Sequence, residues 1–208
     1  MKLKKIAALS AALLVSTSAL IGCGSAPRER YYALSANIDA QPTAQLSSQP
    51  FLQERAANYG VVIGPITIPD VVDRPQMVVL MADSQVSVAE QSRWAEPLDS
   101  GIARVVADNL AHSLSGARVS SFAQSHTVVA DYRVLIDVQH FDSIVGEGIR
   151  DEFLWTVRAT NKGGITKSGR TITREAANSD DYAALVAAHN RALATLSRDV
   201  ATAIQAMP

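Results

Sequence analysis

Apolar and polar positions change period several times along this chain, and each change predicts an element. From Tyr132 to Phe141 the two kinds alternate. Val134, Ile136 and Val138 share one face, and Arg133, Asp137 and Gln139 help make the other largely polar. Period two is the mark of a half-buried strand. Phe153, Trp155, Val157 and Ala159 align in the same way over Phe153–Ala159. Gly146-Glu147-Gly148 reads as the hairpin loop between these strands. Asn161-Lys162-Gly163-Gly164 is a turn, and Ile165–Arg174 completes a meander. Earlier, the β-branched run Tyr59–Ile63 is closed by Gly64-Pro65, and Ile66–Ile68 is closed by Pro69-Asp70. Met77–Met81 and Gln85–Ala89, separated by Ala82-Asp83-Ser84, suit a hairpin. Tyr31-Tyr32-Ala33-Leu34 is a short strand, and residues 35–50 show no period and read as a loop.

Two segments follow the helical period instead. Leu98, Ile102, Val105, Val106, Leu110 and Leu114 recur at steps of three and four, with Pro97 near the start and Gly116 just beyond the end. Arg118–Phe122 is the next strand and makes a strand–helix–strand unit. A second helix is predicted from about Asp180 to Ala206. Its stripe is Tyr182, Leu185, Val186, Leu193, Leu196, Val200 and Ile204. Asn178 or Ser179 can cap it, and Asp180 and Asp181 suit its positive N-terminus. This helix is expected to pack wholly on the sheet, with self-association through its polar face as the alternative. Strands, a helix, more strands and a terminal helix predict an α+β fold. It takes the form of a mixed α/β sandwich, an antiparallel-rich mixed sheet packed against two main helices.

The chain begins differently. Lys2, Lys4 and Lys5 precede an apolar run from Ile6 to Leu20, the order of a secretory signal peptide. Leu20-Ile21-Gly22-Cys23 then resembles the lipobox of bacterial lipoproteins, and Cys23 is the only cysteine. The resemblance implies cleavage before Cys23 and acylation of its thiol and new amine. More than one acyl chain, at about 0.8 kcal/mol per buried CH₂, holds a domain stably to a bilayer. By the family convention, the lack of aspartate at Gly24 implies sorting to the outer membrane. The expected organisation is a cleaved signal at 1–22, a lipidated tether at 23–30 and a single periplasmic domain at 31–208. Removing three lysines with the signal takes the net charge from -1 to about -4, which argues against nucleic acid as a partner. With Cys23 acylated, no thiol remains for a disulfide, a thiolate metal site or a nucleophile.

Catalytic and metal motifs are absent from the sequence. His112, His126, His140 and His189 have no metal-like spacing, and each reads as a structural or surface histidine. No GxSxG elbow, P-loop or EF-hand pattern occurs. The chain is read as no enzyme, needing no cofactor beyond the covalent acyl chains on Cys23. Two other stretches stand out: Asp73-Arg74-Pro75-Gln76 and Arg93-Trp94-Ala95-Glu96-Pro97-Leu98. Tryptophan and arginine carry much of the energy at interfaces. Glu96 can pair with Arg93 or Arg74. Equally, Trp94 can plug the core edge while Arg74 satisfies loop carbonyls.

Taken in order, the lipobox, Tyr31–Leu34, Gly64-Pro65-Ile66-Thr67-Ile68-Pro69, Asp73–Gln76 and Arg93–Leu98 resemble the PqiC/YmbA family. These are auxiliary lipoproteins of ABC-type and MCE-type transport systems. The resemblance covers nearly all of the mature chain, with Asp70-Val71-Val72 a loose match. It implies a non-catalytic periplasmic domain, lipid-anchored in the outer membrane, working in lipid transport and envelope integrity. The implied partner is a PqiB-like MCE-domain protein that spans the periplasm. A symmetric tube end implies a homo-oligomer, best a ring. Asp73, Arg74, Pro75, Gln76, Arg93, Trp94, Glu96, Pro97 and Leu98 are then expected at a subunit or partner contact. Two alternatives make different demands. An independent lipid-binding lipoprotein needs an apolar cavity of its own. A lipoprotein hydrolase needs a serine or carboxylate within hydrogen-bond reach of one of the four histidines.

Overall fold

The computed structural model describes residues 28–36, 59–81, 85–123, 129–160 and 163–207. The signal peptide, Cys23, the start of the tether, most of the 35–50 loop, Ala82-Asp83-Ser84, His126 and Asn161-Lys162 lie outside them. The elements are β1 (Arg30–Tyr32), β2 (Tyr59–Thr67), β3 (Gln76–Leu80), β4 (Val86–Trp94), α1 (Leu98–Ser113), β5 (Ala117–Ser121), β6 (Tyr132–Ile144), β7 (Gly148–Ala159), β8 (Thr166–Ala176) and α2 (Tyr182–Gln205). All eight strands join one mixed sheet, and the expected α+β class is what the chain forms. The long ladders, β6–β7 and β7–β8, are antiparallel, as the alternating runs require.

β6 organises the sheet. One edge carries β7. The other is shared by two strands: β2 runs parallel to Tyr132–Asp137, and β3 runs parallel to Ser143 and Ile144. The sheet therefore forks at β6. One branch continues from β2 to β5, and the other from β3 to β4 and β1.

The two runs expected on either side of Gly64-Pro65 are a single strand. Both halves of β2 pair with β6, with a shift in register between Ile63 and Ile66. Proline has no N–H to give the ladder, and Gly64 has φ +109°, which side chains disfavour. The bulge takes up these two residues and pairing resumes. β4 also runs further than Gln85–Ala89, reaching Trp94 through the polar stretch Glu90–Arg93.

Both helices lie on one side of the sheet. α1 packs on β2 and β5, α2 on β7 and β8, and the helices meet each other. Ile102, Val105, Val106, Leu110, Leu193, Leu196 and Val200 are fully buried in the layer between. Each buried side chain of this size contributes about 2 kcal/mol relative to exposure. The N-cap of α2 is Asp181, in place of the expected Asn178 or Ser179. Its carboxylate accepts from the Ala184 N–H at 2.7 Å. The cap must immediately precede Tyr182, the first helical residue, and only Asp181 does. At the other end, Lys167 Nζ of β8 donates to the Ala206 carbonyl at 2.7 Å, satisfying a helix-end acceptor.

Candidate functional site

The two stretches singled out by sequence come together at one end of the forked sheet. The turn before β3 closes through Val72 and Asp73 N–H groups donating to the Pro69 carbonyl. It then runs beside the end of β4, where the Trp94 N–H donates to the Pro75 carbonyl at 2.7 Å and Gln76 is in register with Arg93. On the far side, the Ala95 N–H donates to the Tyr32 carbonyl at 2.8 Å. Asp73, Arg74, Pro75, Trp94, Ala95, Glu96, Pro97 and Leu98 line a surface groove of about 380 Å³. Gln76 and Arg93 are not among its lining residues; they adjoin it as a register pair of β3 and β4.

The groove has a fixed apolar floor and a charged rim. Trp94 is 8% exposed and meets Phe141 edge-on, with ring centroids 6.2 Å apart. Leu98 is buried at the first turn of α1. Trp94 thus plugs the core edge and also presents its remaining surface to the groove. Glu96 pairs with neither Arg93 nor Arg74. Its Oε1 accepts from Arg104 at 2.5 and 3.2 Å, and Arg104 also donates to the Leu34 carbonyl at 2.8 Å. Arg104 lies two turns into α1 on the side facing the loop, so it reaches Glu96 first. Arg93 takes Glu29 instead, its Nε 3.1 Å from Oε1, an ion-pair distance without hydrogen-bond alignment. Arg74 is exposed, and its side chain makes no hydrogen bond or ion pair among the described residues. Loop carbonyls do not occupy it.

A second constellation was not visible in the sequence. His189 of α2 is fully buried between Ser143 and Asp151. Its Nε2 lies 2.9 Å from Ser143 Oγ and its Nδ1 lies 2.9 Å from Asp151 Oδ2. Its ring stacks on Phe141 at 3.8 Å and 8°. The hydrogen-bond criterion set for a hydrolase is therefore met, in the order serine, histidine, carboxylate. Access is not. Ser143 is 3% exposed, and His189 and Asp151 are 0% exposed. Ser143 also sits within the paired end of β6, in register with Val79 on one side and Ile149 on the other, and on no nucleophile elbow. Asp151 Oδ1 has no partner, and burial pushes the Asp151 carboxyl above the usual carboxylate range. The network reads as a polar plug beneath Phe141. The sequence separations, 46 and 38 residues, hid it. Of the other histidines, His112 Nδ1 meets the Asp108 carbonyl one turn back on α1, and His140 stands 3.3 Å from Asp142 on the surface. Among the described residues no group of His, Cys, Asp and Glu is arranged to hold a metal ion. No described helix is long and apolar enough to cross a membrane.

An α+β domain with a braced surface groove and a closed polar core has the makings of an accessory or binding module. The chain belongs to the family of ABC-type transport auxiliary lipoprotein components, whose model matches residues 34–201. No curated protein matches it by sequence. Among solved structures, it is similar to an uncharacterised protein at 18% identity and TM-score 0.64, over 86% of this chain and 99% of that one. It is also similar to XCC0632 from Xanthomonas campestris, of the DUF330 family. That match has 16% identity and TM-score 0.57, over 82% of this chain and 92% of that one. At these identities the two structures speak for the fold alone.

Proposed function

We propose that this transport auxiliary lipoprotein is a non-catalytic subunit of an MCE-type, PqiABC-like system that moves lipid between membranes. Acyl chains on Cys23 hold it to the outer membrane with the domain in the periplasm. Copies assemble as a ring, and the ring docks a PqiB-like MCE-domain protein. The observation that carries this reading is the groove. Two distant stretches, Asp73–Pro75 and Trp94–Leu98, are bonded backbone to backbone into one surface, with Arg74 left free on its rim.

The test is an affinity pull-down of the tagged, lipidated protein from gently solubilised native membranes, read by mass spectrometry. The wild type and the surface control Gln139→Ala are expected to retain an MCE-domain protein. Trp94→Ala is expected to lose it, as a central tryptophan contributes about 2 kcal/mol or more to a contact. Because Trp94 also serves the core, Arg74→Glu is the parallel variant: its side chain is exposed and supports nothing in the fold. Retention of the partner by both variants would sink the docking role. The hydrolase reading rests on the Ser143–His189–Asp151 network. An active-site fluorophosphonate adduct at Ser143 would be needed to revive it.

A further inference from the structure

α2 packs on one face of the β6–β7–β8 meander, and among the described residues no helix covers the other. Alternate residues of β7 point there, including Arg150, Leu154 and Arg158, and cross-strand partners stand on the same face. The register sets Arg133 directly opposite Arg158, and Arg150 directly opposite Arg174. Like charges facing each other across a ladder are destabilising. Only part of this charge is met from within the chain. Asp142 accepts from Arg150 at 2.5 Å, Glu152 takes Arg170 at 2.8 Å, and Arg133 lies over the Phe122 ring. Arg158 and Arg174 are exposed and make no ion pair among the described residues. Between the two arginine pairs stand Leu135, Leu154 and Ile172, exposed by 37%, 39% and 51%.

We propose that this face lies against an anionic phospholipid surface. Guanidinium groups bind phosphate oxygens in pairs, which removes the cross-strand repulsion. The apolar side chains between them enter the interfacial layer of the bilayer. The spacing selects a surface over a single anion. The arginine pairs stand eight residues apart along β7, roughly 27 Å at the rise of a strand. One phosphate cannot span that distance, whereas a sheet of headgroups presents phosphates at both ends. The face is net positive in a chain of net charge -1: Arg133, Arg150, Arg158, Arg170 and Arg174 stand on it against the carboxylates Asp137, Asp142 and Glu152. This inference needs neither the groove nor its partner.

Arginine footprinting tests it. The full-length protein, as acylated in its host, is added to vesicles of phosphatidylcholine alone or mixed with phosphatidylglycerol. It is then treated with hydroxyphenylglyoxal and read residue by residue by mass spectrometry. Arg158 and Arg174 are expected to react roughly fivefold more slowly with phosphatidylglycerol present, and high salt is expected to remove the protection. Arg74, at the groove, is expected to react equally in both. Equal reaction of Arg158 and Arg174 in the two vesicle types would overturn the proposal. Protection that needs no vesicles and grows with protein concentration would also overturn it, assigning the face to contact between copies. Retention on pure phosphatidylcholine vesicles reports the acyl anchor separately, so failure of the anchor is not confused with failure of the face.

Discussion

Gly169 and Trp155 show how one missing side chain sets a larger one. They are directly opposed on β8 and β7, and a Cβ on Gly169 would stand 2.2 Å from Trp155 Cζ2. The indole fills the space that glycine leaves. Its Nε1 donates to Thr171 Oγ1 at 3.1 Å, and Thr171 donates to Asp199 of α2 at 2.6 Å. Gly169→Ala is therefore expected to tilt the ring and break this relay, costing about 1–3 kcal/mol as an overpacked site. Urea unfolding followed by tryptophan fluorescence measures it, and a variant as stable as wild type with unshifted emission would contradict it. At the same scale, Arg74 and Trp94 divide the work of the groove: one is exposed and free of structural duty, the other is mostly in the core.

Among the elements, α2 offers the cleanest check. Asp181→Ala removes its cap and is expected to cost about 1 kcal/mol, while Asp180→Ala should cost little. Thermal unfolding of the two variants measures the difference, and equal losses would mean the cap is not the source. The sequence pattern puts the cap at Asn178 or Ser179 and misses Asp181, because Asn178, Ser179, Asp180 and Asp181 are all capping types in succession. What was legible were the elements with a strong period: β6, β7, both helices and the meander. Polar Glu90–Arg93 hid the second half of β4, since that stretch does not alternate. Gly64-Pro65 looked like the end of a strand, because a bulge shows only in the pairing. The groove was legible as two unusual segments, and their contact was not. Glu96 found Arg104 through the turn of α1, a geometry that loop residues alone do not reveal.

For the whole molecule, the buried Asp151–His189 pair ties stability to pH. Burial is the main cause that raises the Asp151 carboxyl, with the His189 partner opposing it. A carboxyl whose folded pKa lies above its unfolded value favours folding while it holds its proton. That contribution is present below the usual carboxylate range and is lost as pH rises through the folded value. Asp151→Asn, whose amide oxygen can still accept from His189, is expected to flatten this part of the profile. Denaturant unfolding at a series of pH values compares the two, and parallel profiles would contradict it. The fork at β6 has a mechanical consequence. β1 is the described strand nearest Cys23, and its branch, β1–β4–β3, joins β6 by only two register pairs, Val79 with Ser143 and Leu80 with Ile144. A pull transmitted through the N-terminal segment first loads the three β1–β4 register pairs, and within the sheet it then meets that short joint before the long β6–β7 ladder. The joint ends beside Ser143, so parting it would open the sheet next to the polar plug.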